Sequence, residues 1–454
     1  MHYLDWFAIG GYFILLLGLG FYKSTKKGND SDFILAGRKL SLPGFIATLV
    51  ATWYGGILGV GENTYHYGIQ TWFIFAFPYY VFGLLFAIFL APKIRNLPHH
   101  SIPDHFRKHF GHNAGIFSAV LILFLASPAP YILSFGILLQ HTLGWNLLPA
   151  ILFSTIVSLI YIWYGGFRSV IRTDILQFIF MFTGFVFLLI FSWNYFGPPK
   201  KLFTELPEHY FDPTGGNSIQ YILVWFFIAL WTFIDPGFYQ RTAAAKSPET
   251  AQKGILISIG FWFVFDFLTI STGLYAVAIL PNQTAAMAYP ELAAHILPPF
   301  VYGIFLAGLF STIMSTIDSN GLISAITFGR DILGRIQNRE NIVDSTGSIR
   351  KGLVVMAIIA VLLSLSIPSI VRLWYVIGSI IVPGILLPFL MTFTQTKLND
   401  GKIILTMILP VIIAIFWFFY GHFSGHYPMG IEPFYPGLII SGMLLYHFSE
   451  KKIK

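Results

Sequence analysis

Apolar residues come in long blocks along this chain, separated by short polar connections. A helix needs about 20 mostly apolar residues to cross a bilayer. Blocks of that order fall at 3–22, 43–68, 71–92, 114–141, 147–164, 173–193 and 218–239, and again at 254–280, 298–328, 352–367, 371–395, 403–420 and 433–448. The pattern predicts an all-α, polytopic integral membrane protein with about 13 transmembrane helices. The blocks at 43–68 and 298–328 are longer than one crossing requires. The longest polar connections, 194–217, 281–297 and 329–351, are too short to hold a core of their own. A single transmembrane domain over 1–454 is therefore expected.

Two blocks carry interruptions. In ATLVATWYGGILGVGENTYHYG (47–68), Gly55, Gly56, Gly59 and Gly61 cluster near the middle, where each glycine weakens a helix by up to about 1 kcal/mol relative to alanine. In VWFFIALWTFIDPGFYQR (224–241), Asp235-Pro236-Gly237 brings a missing amide and a mobile residue. The interrupted blocks are five apart. If 43–193 and 218–395 are two five-helix repeats, an odd number of helices makes them inverted. A five-plus-five core then lies between an extra span at 3–22 and two closing spans at 403–448. Interruptions at matching positions of two such halves point to a transporter's midplane site. Glycine that merely permits close helix packing is the competing explanation for the first block taken alone.

Polar atoms concentrate in one place. STIMSTIDSNGLISAITFGRD (311–331) follows directly on the apolar FVYGIFLAGLF. At 100° per residue, Ser311, Thr312, Ser315, Thr316, Asp318 and Ser319 share an arc of about 160°. Oxygen donors with one acid, and no sulfur or imidazole, suit a hard monovalent cation. Any one hydroxyl could instead bond back to its own helix. The acids inside apolar blocks are Glu62, Asp174, Asp235, Asp266 and Asp318. A carboxylate at bilayer depth costs roughly 2.5–3.5 kcal/mol on insertion scales. With no Lys or Arg expected at their depth, a transient cation is favoured over a permanent ion pair. Asp174, one turn into its block, also reads as an N-terminal helix charge.

Composition agrees with the block pattern. A soluble chain carries roughly 25% charged residues, whereas here 10% are charged and 56% are hydrophobic. The net charge of +7 is scattered singly between apolar runs, which excludes a nucleic-acid face. With the N-terminus outside, all but Lys200, Lys201 and Arg372 of the 27 Lys and Arg fall on cytoplasmic connections. The topology expected is N-terminus out and C-terminus cytoplasmic, in a cell membrane. The first block lacks a basic leader and a cleavage site and reads as a retained span. The absence of cysteine excludes thiolate chemistry and cysteine-ligated metal.

Four stretches resemble ordered motifs of the sodium:solute symporter family: DFILAGRKLSLPGF (32–45), GGFRSVIRTDILQ (165–177), FYQRTAAAKSPETAQKG (238–254) and FLAGLFSTIMSTIDSNGLISAITFGRDIL (305–333). The resemblance covers nearly the whole chain. It implies the leucine-transporter-like inverted-repeat fold, alternating access and coupling to Na+. It implies a sodium site made of the Ala51 and Tyr54 carbonyls, the Thr312 carbonyl, and the Ser315 and Thr316 hydroxyls. A second sodium, held in some members, would use Asp174 with Ser315, Asp318 and Ser319. Asp318 stands where the family usually has a hydroxyl, Trp53 where it is often small or polar, and Trp231 where an aromatic gate is usual.

The function expected is sodium-coupled symport of a small organic solute into the cell by a monomer in the lipid bilayer. Solute contacts are expected over Gly55, Gly56 and on to Glu62, from Trp231 to Asp235, and at Trp374 and Tyr375. The alternative is proton coupling through Asp318. A membrane enzyme based on His99 and Asp104 of HHSIPDH lacks a nucleophile, metal cluster or cofactor loop. A sensor would need a signalling domain, and none is expected after the last span.

Overall fold

The computed structural model describes residues 1–22, 30–160, 162–337, 346–394, 396 and 398–450. Lys23, Lys26, Lys27, Arg339, Lys397, Lys451, Lys452 and Lys454 of the charge tally lie outside them. Among the described residues the chain is helical throughout, and the one β-type pairing is an isolated bridge between Leu40 and Ala245.

The first half contains α1 (Tyr3–Phe21), the half-helices α2 (Leu42–Ala51) and α3 (Ile57–Tyr67), then α4 (Gln70–Asn96), α5 (His112–Leu143), α6 (Leu147–Leu159) and α7 (Ile162–Phe196). The second half begins with the half-helices α8 (Ile219–Ile228) and α9 (Pro236–Ala244), followed by α10 (Pro248–Ile279) and α11 (Val301–Gly334). It ends with α12 (Thr346–Ser366), α13 (Ile370–Met391), α14 (Asp400–Ser424) and α15 (Phe434–Glu450). Among the described residues ten helices are long and apolar enough to cross a membrane, counting α8 and α9 as one. The other three apolar blocks form shorter or divided helices: α2 with α3, α6, and α15.

Burial ranks these helices. Along its most apolar stretch α11 is 83% buried, against 28% for α1 and α14. The helix with the hydroxyl-rich face is thus the axis of the bundle, and its polar atoms meet protein rather than lipid. Asp5 of α1 holds its start, accepting the amides of Phe300 (2.9 Å) and Gly303 (3.2 Å).

Local sequence explains both breaks. The α2 helix stops at Ala51, and Thr52–Gly56 runs without regular helix before α3 begins. A Cβ at Gly55 would stand 2.6 Å from Thr316 Oγ1, and one at Gly56 would overlap the Trp374 indole. Glycine is required there because other helices come that close. The second break lies one step earlier than Asp-Pro-Gly suggested. The α8 helix ends at Ile228, Ala229–Ile234 tightens into a 3₁₀ turn, and Asp235 caps α9 by accepting the Phe238 amide at 2.8 Å. Asp at the cap and Pro at the first helical position start a helix rather than interrupt one.

Two further boundaries differ from expectation. The block at 147–164 yields a helix ending at Leu159, and α7 begins at Ile162, so Arg168 and Arg172 lie on α7 rather than in a connection. Gly166 kinks the start of α7 with φ +53°. Asp174 lies beyond that kink, fully buried, which rules out a simple solvent-facing terminal charge.

One end of the bundle is clasped by two of the quoted motifs. The Leu40 amide donates to Ala244 O (3.0 Å), and the Lys246 amide donates to Leu40 O (2.9 Å). Arg38 donates to the carbonyls of Ala243 (2.9 Å), Arg95 (2.8 Å) and Leu97 (2.8 Å), and Arg95 to that of Ala245. Ala36, Gly37 and Arg38 all take positive φ to aim that guanidinium. At the same end Asp104 takes Arg330 and Arg335 at 2.7 Å each, and Asp331 takes them at 2.8 and 3.1 Å. Asp104 is therefore committed to a structural cluster rather than to a His99-based catalytic pair.

Candidate functional site

The last carbonyls of a helix have no helical amide left to accept. Ala51 is such a residue, at the C-terminal end of α2, and its carbonyl accepts the Ser315 hydroxyl of α11 at 2.6 Å. The same hydroxyl lies 3.2 Å from the Thr312 carbonyl, and Thr316 Oγ1 lies 3.3 Å from it. Gly55 presses its backbone against Thr316. Four oxygens, from Ala51, Thr312, Ser315 and Thr316, thus gather where α2 meets α11. The C-terminal end of the α2 dipole adds negative potential there. The Tyr54 carbonyl accepts the Ile57 amide at 2.9 Å, while its hydroxyl donates to Trp262 O at 3.1 Å. Carbonyl and hydroxyl oxygens of this kind suit an alkali cation.

Around Asp174 the geometry departs from expectation. Its carboxylate accepts the Thr48 hydroxyl and stands 3.6 Å from Arg241 Nη2. That nitrogen also donates to Ser319 Oγ (2.7 Å) and Thr48 Oγ1 (3.0 Å). Arg241 is 1% exposed and Asp174 is 0% exposed. The expectation of no base at the depth of the acids is therefore wrong. A guanidinium from α9 lies between Asp174 and Ser319, two of the groups assigned to a second sodium. Ser315 turns instead to Ala51. Asp318 is fully buried on α11, with Tyr12 of α1 close by.

Arg241 was missed because its motif reads as a cytoplasmic connection. The signal lay in Asp235-Pro236 as a helix start. Six residues further on is only about 9 Å along a helix, which leaves Arg241 well short of the surface.

Beside these oxygens, a cavity of about 120 Å³ opens between the two breaks. Tyr54, Gly56, Trp231, Asp235, Ser319 and Trp374 line it, as do Trp53, Tyr79 and Tyr131, which sequence reasoning left out of the solute site. Gly55 sits alongside, between Thr316 and Tyr131. Glu62 and Tyr375 are not part of the wall. Glu62 lies half-buried along α3, and Tyr375 donates its hydroxyl to Glu432. Asp266 does line the cavity; its partner, invisible in sequence, is the Tyr80 hydroxyl.

Comparison with known proteins identifies the fold and the family. Over 96% of its length the chain is 25% identical to the osmoregulated proline transporter of Bacillus subtilis (strain 168), covering 92% of that protein. It is 26% identical over 80% of its length to the high-affinity choline transporter 1 of Drosophila melanogaster, covering 62% of it. Its fold superimposes on a substrate-bound, outward-open Na+-coupled sialic acid symporter with a TM-score of 0.82 at 17% identity, over 99% of this chain and 98% of that one. A nucleobase-cation-symport-1 family transporter gives a TM-score of 0.60 at 12% identity, over 93% and 95% of the two chains. Residues 33–409, spanning both breaks, the clasp and the hydroxylated helix, match one family description, and the chain belongs to the sodium:solute symporter family.

Proposed function

We propose that the protein carries a small organic solute into the cell together with sodium, by alternating access. The observation that supports this most is the meeting of Ala51 O with the Ser315 hydroxyl, beside the Thr312 carbonyl and Thr316. A sodium ion entering there would replace those hydrogen bonds with ion–oxygen contacts and join α2 to α11. Tyr54 O would complete the shell from the far side of the break. Since α2 leads directly into the cavity wall at Trp53, Tyr54 and Gly56, fixing α2 orders the solute site.

The two five-helix repeats, 43–193 and 218–395, each open with one of the broken helices. The N-terminus lies outside and the clasped end faces the cytoplasm. With that orientation the Arg38 and Arg95 bonds would hold the cytoplasmic end together while the solute loads from outside. Because Arg241 already supplies a cation to Asp174 and Ser319, one sodium per cycle is the stoichiometry this arrangement supports. One charge moving through 100 mV yields about 2.3 kcal/mol, and a tenfold sodium gradient adds about 1.4. Together they sustain a few-hundred-fold gradient of a neutral solute.

The test is uptake into proteoliposomes of labelled solutes, under an imposed sodium gradient and under a proton gradient in potassium. Accumulation that follows sodium alone supports the proposal. Accumulation driven by protons without sodium would replace it with coupling through Asp318.

A further inference from the structure

We infer that the solute carries an ammonium group, held in an aromatic cage closed by Asp235. This rests on reading the 120 Å³ cavity as the solute site.

The walls are aromatic on both sides. Trp53 meets Tyr79 at 5.0 Å and Phe238 at 5.5 Å between ring centres, and Phe75 meets Trp374 at 5.6 Å. Tyr131, 6.4 Å from Trp374, also lines the cavity. Asp235 sits at the second break, with Tyr79 and Tyr131 both in its field. One of its oxygens caps α9 and the side chain lines the cavity, with Arg241 and Trp231 also close to it. Ring faces carry negative quadrupole potential, so aromatic walls with a carboxylate attract a cation, and quaternary ammonium ions are bound in such cages.

Other solute classes fit less well. A sugar needs many neutral hydrogen-bonding groups; Thr52 donates to Thr48 O (2.7 Å) and Ser319 accepts Arg241, which leaves mainly the Tyr79 and Tyr131 hydroxyls and the indole N–H groups to serve one. Thr71 accepts from Asn63 (2.9 Å) and Thr64 (3.1 Å). Asn320 is the remaining neutral amide in the wall. An anion would need a base, yet Arg241, the one base lining the cavity, is turned to Asp174, Thr48 and Ser319. Size points the same way: a cavity of about 150 Å³ accepts benzene, so this one takes a compact solute of comparable bulk. The Trp231 indole N–H lies in the field of Asp235 without making a hydrogen bond of normal geometry.

The decisive comparison needs no variant. Thermal stabilisation of the purified protein is measured with choline, with its uncharged carbon isostere 3,3-dimethylbutanol, with glycine betaine and proline, and with glucose and propionate. Each is run in sodium and in potassium. Either class of ammonium compound should stabilise the protein, with the isostere at least about thirtyfold weaker. A stronger response to choline marks a free cation, and a stronger response to betaine or proline marks a zwitterion. Isostere binding as tight as choline, stabilisation by glucose or propionate alone, or no response to any ammonium compound overturns the inference. Asp235→Asn, which retains a good helix cap, should weaken ammonium binding at least tenfold. Ammonium binding indifferent to sodium would sink the coupling proposal and leave this one standing.

Discussion

The two broken helices do different work although they occupy matching positions. At the first break, glycines strip the chain to backbone, so that Ala51 offers a bare carbonyl and Gly55 lets Thr316 approach. At the second, Asp235 and Pro236 restart a helix at once, and the chain presents side chains: a carboxylate to the cavity and, nearly two turns later, a guanidinium to Asp174. One break gathers neutral oxygens, the setting proposed for sodium. The other is a charged site that has consumed part of its own charge. On the proposed reading, halves with one topology divide ion binding from solute binding by whether the break bares backbone or re-caps a helix.

The strongest way to break this contrast is to remove the internal cation of the second half. Arg241→Met strands Asp174 in a buried pocket and should lower stability by about 3–5 kcal/mol, read as loss of thermal stability in detergent. Adding Asp174→Asn should recover much of it; no recovery would mean that the pair is not the reason. At the first break, Ser315→Ala or Thr316→Ala should weaken sodium binding by about 1.5–3 kcal/mol, the worth of a bond to a charged group, with solute binding in saturating sodium nearly unchanged. A sodium titration of intrinsic tryptophan fluorescence checks this. Gly56→Ala drives a methyl into Trp374 and should cost about 1–3 kcal/mol, part of which Trp374→Leu returns.

A site remote from both breaks should leave the contrast alone. His105, on the short helix Ile102–Phe110 between α4 and α5, packs against Phe393 with ring centres 4.9 Å apart. Burial first, then neighbouring His99 and His109, pushes its pKa down to about 3. An unfolded chain protonates this ring near pH 6.5 while the folded one does not, so stability falls as pH drops from about 6.5 towards 3. Between pH 6.5 and 5 that is at most about 2 kcal/mol. His105→Phe should flatten that slope in unfolding measurements without altering sodium affinity.

Much of this was legible in the sequence because bilayer physics writes in long blocks. The apolar runs located the helices, the glycine cluster located the first break, and the hydroxyl arc marked the face of α11 that meets α2. What stayed hidden depended on depth and on distant partners. Arg241 looked cytoplasmic because a motif rich in small and polar residues resembles a connection, yet α9 carries it beneath Thr48 and Asp174. Tyr80 and Asp266 are 186 residues apart. Tyr79 and Tyr131 line the cavity from helices whose polar content is otherwise unremarkable, and nothing local distinguishes them from core aromatics. Tyr375 carried the opposite error, an aromatic beside Trp374 whose hydroxyl turns away to Glu432.

The central claim is that sodium joins α2 to α11 through the oxygens of Ala51, Ser315 and Thr316. Amide hydrogen exchange, followed in peptides covering 48–57 and 311–319 during titration with sodium or potassium, tests it most directly. The account predicts slower exchange in both peptides with sodium, none with potassium, and loss of the effect in Ser315→Ala. Equal protection by the two ions, or sodium protection that survives in Ser315→Ala and Thr316→Ala combined, would contradict it.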